Sequence, residues 1–596
     1  MTTVTTRRPA YRANLATVEG DLAAAAARLR ALVAPQAGPP TAATVRELAL
    51  LHANVAHTFA SLEGSQRFVD YQHLMHWQGA FFDDPVQVAA TERALDAAEP
   101  FADPDAEDLR RTWRAWFGER SALSAARRRQ TELEAGMRGV LRQLDAHQLA
   151  FVQRLGIDTS GAGPSVLLAA TASRIANPAT RTKLTTAWRR HVAPDLDALT
   201  DLLDEAVAVR RADAAAAGWP SVRARTFARC TVDEQEAAAF LREFLVRALE
   251  SQRELESAVR AATGAGTDPM DHFGRYVRLR TGDARLPTFR LEAVLDLLCE
   301  LARRVLGVTV APVAEHPAHA LTLRVARDGA ELGTIDVDLL HPGDPDGPDG
   351  PARAADPAQA ATAAKAHVLC LLHPGPGDGL HVTFPAAQTV FHEFGHALTH
   401  VLVRRRLPSA SGVEHVPLER LECASTWWER WACHPDFAAA LDPTGDAAEA
   451  LAHARRLRAL ETWSTTLQCT VAAAVDLDVH GRADGGHREA YDRLDREFGL
   501  ADHCTFADLP GYLTHLTWQA APGAGFLYAW GAATSAAAFA PYWRMRIADL
   551  PVPGLPDEPA GAWLDVSAPS PRPPVDAYFA FLRDVLDTGS REVVPA

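Results

Sequence analysis

The stretch TVFHEFGHALTH, residues 389–400, sets His392 and His396 four residues apart with Glu393 between them. On a helix, residues i and i+4 lie one above the other on the same face, so two imidazoles at this spacing can reach a single tetrahedral zinc ion. Glu393 is turned by about 100° from His392. That offset sets its carboxylate beside an open position of the metal, where it can take a proton from a water molecule and later deliver it to a leaving amine. This is the HExxH arrangement. A chain with 23 histidines can carry the pattern by accident, and the motif alone leaves open an amphipathic helix whose histidines serve only packing.

A candidate third ligand, with a solvated helix-surface acid as the alternative, lies in VPLERLECASTWWERW, residues 416–431. Pro417 suits the first turn of a helix, and Leu421, Ala424, Trp428 and Trp431 give that helix a buried side. Glu422 then projects from a second helix able to pack on the first, and two His and one Glu with water in the fourth place form a catalytic zinc shell. Glu419, one turn before Glu422, and Glu429, two turns after it, share about the same face. Either can orient a ligand imidazole through its other nitrogen, or both are solvated surface acids. Cys423 points about 100° away from Glu422 and reads as a packing residue.

These residues need a scaffold, and its elements are legible in the pattern of apolar positions. From residue 11 to about residue 303 the chain reads as one helix after another, entirely α, broken at Pro/Gly sites such as PQAGPP and GIDTSGAGPS. Around 320–340 the period changes: ALTLRVARDGAELGTIDVDLL alternates apolar and polar residues on both sides of a Gly-bearing turn, which predicts a hairpin. HPGDPDGPDGPARAADPAQA, residues 341–360, predicts a loop, and AHVLCLL and GLHVTF predict strands before a helix from 386. Helices resume to residue 545 and, after a Pro-rich crossing, the chain closes with the helix AYFAFLRDVLD. The expected organisation is an N-terminal helical region, 1–305, and a catalytic region, 306–596, with no internal repeat.

At these residues the chain resembles the thimet oligopeptidase and oligoendopeptidase F family of zinc peptidases. The resemblance rests on FHEFGHAL, on LECAST where the family has a Glu followed by a Pro-Ser-Gln-like segment, and on the order helices, small sheet, zinc helix. Weaker echoes are LDEAVAVRRADAAAAGWPSVRART, DPMDHFGRY with Met270 in place of a Trp, LGTIDVDLL and FLYAWGAATSAAAF. It covers the chain from about residue 170 onward and is strongest between 385 and 431. The resemblance implies a mainly α fold, a helical ellipsoid with a deep central channel and a small β-sheet near the zinc helix, acting on short peptides. It implies one zinc ion held by His392, His396 and Glu422, with Glu393 as general base and then general acid.

The departures from the family are as informative. The family supplies His and Tyr side chains from its C-terminal segment to hold an oxyanion. Here Tyr528 best matches the catalytic Tyr, and His515 is a candidate for a displaced His, with a core Tyr and a packing His as the alternatives. Ala521, Pro522, Gly523 and Gly525 stand where His or Tyr is expected, and the 341–352 loop lacks the family's basic side chains. Losing one oxyanion donor lowers turnover by about 10² to 10³. The second reading is therefore a repurposed zinc enzyme acting on a specialised small molecule or modified peptide, and the third a helical binding protein with a vestigial site.

Composition narrows the field further. The 596 residues are 47% hydrophobic and 23% charged, and no apolar run is long enough to span a bilayer. Net charge is −15, with Lys only at Lys183 and Lys365, which argues against a nucleic-acid partner. Seven scattered cysteines form no CxxC pair and suit reduced thiols; with no compact apolar core in the first residues, a cytoplasmic location is expected. Nothing in the sequence addresses oligomeric state.

Overall fold

The computed structural model describes residues 15–34, 41–48, 85–97, 124–157, 177–264, 273–281, 287–313, 320–340, 364–371, 381–403, 416–441, 448–519, 521–550 and 570–591, with a few isolated positions besides. The 341–360 segment, the Pro-rich crossing at 551–569 and residues 268–272 of DPMDHFGRY lie outside them. The fold is mainly α with small sheets. The principal helices, in chain order, are α1 (Pro178–Ala216), α2 (Glu234–Thr263), α3 (Leu291–Leu306), α4 (Phe384–Leu402), α5 (Leu421–Ala432), α6 (Ala448–Gly481), α7 (Pro510–Gln519), α8 (Phe526–Phe539) and α9 (Val575–Arg591). The strands are β1 (Thr288–Arg290), β2 (Thr309–Pro312), β3 (Ala320–Arg327), β4 (Ala330–Leu340), β5 (Ala364–Leu371) and β6 (His381–Thr383). Among the described residues no helix is long and apolar enough to cross a membrane, and six described cysteines are free thiols.

The chain forms two compact units, each assembled from three segments. The first comprises Met1–Ser124, Pro287–Gly445 and Ala538–Ala568. Its sheet has the order β2-β3-β4-β5. The predicted hairpin is β3–β4, turned at Asp328 and Gly329, both at positive φ (51° and 79°), as a two-residue type I′ connection requires. Leu323 faces Ile335 across the pair, and both are buried with Val325 and Val337, so one face of the hairpin forms core. β5 runs parallel to β4. A parallel neighbour needs a crossover of about a dozen residues or more, and the chain between 340 and 364 has that length.

Among the described residues, the reading of residues 11–303 as entirely α is corrected at one place. Thr288–Arg290 is a strand, paired antiparallel with β6 so that Phe289 faces Val382, both buried. Three residues are too short to show alternation. β6 leads directly into α4, whose entry is capped by the Thr383 hydroxyl accepting from the Ala386 N–H, with Pro385 in the first turn where no N–H is needed. Val390, Phe391, Phe394, Ala397, Leu398 and Val401 bury the apolar side of α4, and the helix packs on β4 and β5.

The second unit comprises Ala125–Leu286, Asp446–Ala537 and Pro569–Ala596. Several of its helices gather on α6, against which α2 and α9 pack. Asp233 caps α2 through the Glu236 N–H, and Gly264 at φ 66° closes it. Phe240 and Phe244 of α2 meet Trp530 and Phe579 at ring-centroid distances of 4.8 and 5.2 Å, an aromatic seam that joins α8 and α9 to the same helix.

Candidate metal centre

His392 and His396 leave α4 with their ring centroids 4.9 Å apart and their planes at 80°. Glu422, in the first turn of α5, is buried, and its Oε2 lies 3.4 Å from His392 Nε2 and 3.5 Å from His396 Nε2. One ligand atom from each of the three residues falls within 4.8 Å of the others, the only such His/Cys/Asp/Glu group among the described residues. Two ligands on a tetrahedral zinc with bonds of about 2.0–2.1 Å stand roughly 3.4 Å apart. The separations and the donor set, two imidazole nitrogens and a carboxylate oxygen, therefore fit a zinc ion.

The helices approach closely enough because of Gly395. A Cβ on that residue would lie 2.7 Å from Ser425 Cα, 2.9 Å from Trp428 Cδ1 and 3.1 Å from the Ala424 carbonyl oxygen. Any side chain there would push α5 away and draw Glu422 off the imidazoles. Beside this contact the Phe394 and Trp428 rings meet edge to face, with centroids 5.7 Å apart. Behind it Trp427 and Trp431 are fully buried against Phe539 and Tyr542, so α5 is held from its far side as well.

Each group of the cluster is also fixed by hydrogen bonds. The Ser425 hydroxyl, fully buried, donates to Glu422 Oε2 at 2.7 Å. Glu429 Oε2 lies 3.4 Å from His392 Nδ1, so of the two acids considered from the sequence Glu429 meets this imidazole and directs its other nitrogen toward Glu422. Glu419 is buried in the turn before α5, and its carbonyl accepts from the Cys423 thiol. Cys423 is itself buried, away from the imidazoles' side of the helix.

The electrostatics favour a cation. Burial opposes a charge on His392, but hydrogen bonds to Glu422 and Glu429 outweigh it and push its pKa up to about 10. Burial likewise opposes the charge on Glu422, yet His392 and His396 hold its carboxyl well below the usual range. Two carboxylates thus converge on a proton that a metal ion would replace. Glu393, half-buried, follows His392 on α4.

The other two candidates from the sequence lie in the second unit. His515 of α7 is exposed and Tyr528 of α8 half-buried, with ring centroids 5.7 Å apart. The structure brings this pair together with each other, as it brings His392, His396 and Glu422 together.

Gly395 and Ser425 were not singled out from the sequence. Gly395 did carry a signal: a glycine inside a helix is about 1 kcal/mol less favourable than Ala, so its presence between two histidines calls for a close neighbour. Ser425 carried none, since a serine one turn after a glutamate is ordinary on any helix.

Residues 374–545 match the family model for Peptidase family M3. The chain is 32% identical over 134 residues to organellar oligopeptidase A, chloroplastic/mitochondrial, of Arabidopsis thaliana, a stretch of 21% of this chain and 17% of that protein. It is 29% identical over 141 residues to a cytosolic oligopeptidase A of the same plant, 23% of this chain and 20% of that one. The matched stretches thus span about a fifth of these relatives. A crystal structure of a protein from Chlamydophila abortus shares the fold at a TM-score of 0.52, with 13% identity and 96% of each chain covered. The segment that carries the histidines, the glycine and the glutamates described above is the part of the chain that is similar to Peptidase family M3.

Proposed function

We propose that the chain is a zinc-dependent oligopeptidase that hydrolyses short peptides, with His392, His396 and Glu422 as the metal ligands. The observation that carries this is the single carboxylate oxygen of Glu422 placed 3.4 and 3.5 Å from two imidazole nitrogens, at the spacing a tetrahedral ion requires. The matching segment of Peptidase family M3 and the oligopeptidase names of the two plant proteins support it. A zinc ion held there would supply Lewis acidity toward a carbonyl oxygen and acidify a water molecule.

The chain's own residues do the rest. Ser425 and Glu429 hold Glu422 and His392 in place, and Glu393 takes the proton of the attacking water and passes it to the departing amine. The family resemblance further offers Tyr528, with His515 beside it, for the role of oxyanion donor. Metal analysis of the purified protein, with digestion of a mixed library of peptides of about five to fifteen residues, tests the proposal. The expected result is close to one zinc per chain and cleavage abolished by a chelator. Full metal occupancy with no cleavage of any peptide overturns the peptidase reading and favours a repurposed zinc enzyme, for which the absence of side chains at Gly523 and Gly525 is the supporting observation.

A further inference from the structure

Outside the metal centre, the second unit buries an array of charged and polar groups that the chemistry above does not use. Asp476 and His480, one turn apart on α6, are both buried, as is Arg210 of α1. The Asp476 carboxylate accepts from the Gly525 N–H at 3.0 Å and the Gly523 N–H at 3.3 Å, and its Oδ1 lies 2.9 Å from His480 Nδ1, which also bonds to the Asp476 main-chain carbonyl at 3.0 Å. Arg210 Nη1 lies 3.5 Å from His480 Nε2. A guanidinium only donates, so His480 Nε2 is the acceptor and Nδ1 carries the hydrogen given to Asp476. Burial of this order is expensive unless every group is paired.

The partners of Asp476 are not arbitrary. Gly523 and Gly525 belong to the segment APGAG, residues 521–525, which enters α8 three residues before Tyr528. Thr226 holds the same segment from another side, its hydroxyl donating to the Pro522 carbonyl at 2.7 Å. The Ala524 N–H returns to Ala521 O and the Leu527 N–H to Ala524 O, which passes the turn into the helix. Gly523 sits at φ 77°, and a Cβ there would lie 3.1 Å from His480 Cβ. On Gly525 a Cβ would be 3.1 Å from each of Ala473 Cα, Asp476 Oδ2 and Leu516 Cδ1. Glycine suits both positions because the segment lies close against α6, where a Cβ would crowd its neighbours and, at Gly523, strain the backbone.

We infer that Asp476, oriented by His480 and assisted by Thr226, is a positioning residue that fixes residues 521–525 and thereby sets where the Tyr528 ring stands. The consequence for turnover rests on the reading of Tyr528 as an oxyanion donor; the placement of the ring does not. With its two neighbouring glycines fixed by a buried carboxylate, a single tyrosine is held by an immobile mount, and the segment needs no further side chain to define its geometry.

The test uses the full-length protein labelled with fluorotyrosine, the Tyr528 resonance being the one lost in Tyr528→Phe. In Asp476→Asn an amide N–H₂ or its single oxygen replaces a carboxylate that accepts on both atoms, and in Thr226→Val one bond is removed with little change of shape. The expected result is that the Tyr528 resonance shifts or splits in both variants while metal content is unchanged. In Asp476→Asn, kcat also falls by about tenfold or more with KM unchanged, and Tyr528→Phe then costs less in that variant than it does in the unaltered protein. A Tyr528 resonance that is unmoved in both variants overturns the inference, and Thr226→Val decides alone where Asp476→Asn does not fold. A moved resonance with unchanged kcat supports the positioning role and overturns the donor role of Tyr528 instead.

Discussion

Gly395 and Ser425 meet backbone to backbone: a methyl group on Gly395 would stand 2.7 Å from the Ser425 Cα, inside any permitted contact. On one side of that contact lie His392 and His396, and on the other the carboxylate that faces both of them. The first prediction follows from it. Gly395→Ala gains helix propensity but forces α4 and α5 apart, so it is expected to destabilise the protein by about 1–3 kcal/mol and to weaken zinc binding. Thermal melts with and without chelator check this; an unchanged zinc affinity would show that the helices do not need this contact to form the site.

Ser425 and Glu429 act on the ligands and not on the ion. Ser425→Ala leaves one oxygen of a buried carboxylate short of a donor, and Glu429→Gln weakens the partner of His392 Nδ1. Each is expected to lower zinc affinity by about 10- to 100-fold. Zinc titration against a competing chelator reads this directly, and the two substitutions, acting on one connected cluster, should combine non-additively.

Glu393→Gln separates chemistry from assembly. Glu393 is adjacent to His392 in sequence but contributes no atom to the His–His–Glu group. The variant should retain its zinc, and its stability within about 0.5 kcal/mol, while kcat falls by about 10² to 10⁴. If metal is lost along with activity, the role assigned to this carboxylate is wrong.

Much of the site was legible in the sequence because helix geometry makes it so. His392 and His396 at i and i+4 can only share a face, and Glu422 stands on a second helix with an apolar side, although Pro417 precedes a 3-10 turn at Leu418–Arg420 and the helix itself begins at Leu421. The face of α5 is broader than the spacing suggested, since Trp427 is buried too and Leu421 only half-buried. The β3–β4 hairpin was equally readable from its alternation and its Asp-Gly turn. What escaped was long-range. Three residues at β1 carry no period, the parallel pairing of β5 depends on a crossover, and neither unit is continuous in the chain. Nor does any local pattern reveal that Asp476 and the backbone of residues 523 and 525 would meet. Gly523 and Gly525 looked like missing side chains; the structure shows them as tight places, where a Cβ would stand 3.1 Å from its nearest neighbours and, at Gly523, would also meet a positive φ.

The last prediction concerns acid stability. Burial depresses the His480 pKa below its ordinary value, and Asp476, although burial opposes its charge, is held below the usual carboxylate range by His480 and by the Gly525 and Gly523 N–H groups. For His480 the unfolded chain binds the proton more readily. Its contribution is therefore fully present above the unfolded pKa of about 6.5 and is lost as pH falls below it. For Asp476 the contribution is present above about 3.9 and is lost as pH falls further toward the folded value. Both act in the same direction, so urea midpoints should decline from about pH 7 downward, first through His480 and then, more steeply, through Asp476. His480→Gln removes the first limb: its midpoint should be lower at pH 7.5 but nearly flat between about pH 5.5 and 7. An equally steep decline in that variant would mean that other histidines of the second unit, and not the group packed against Asp476, govern its response to acid.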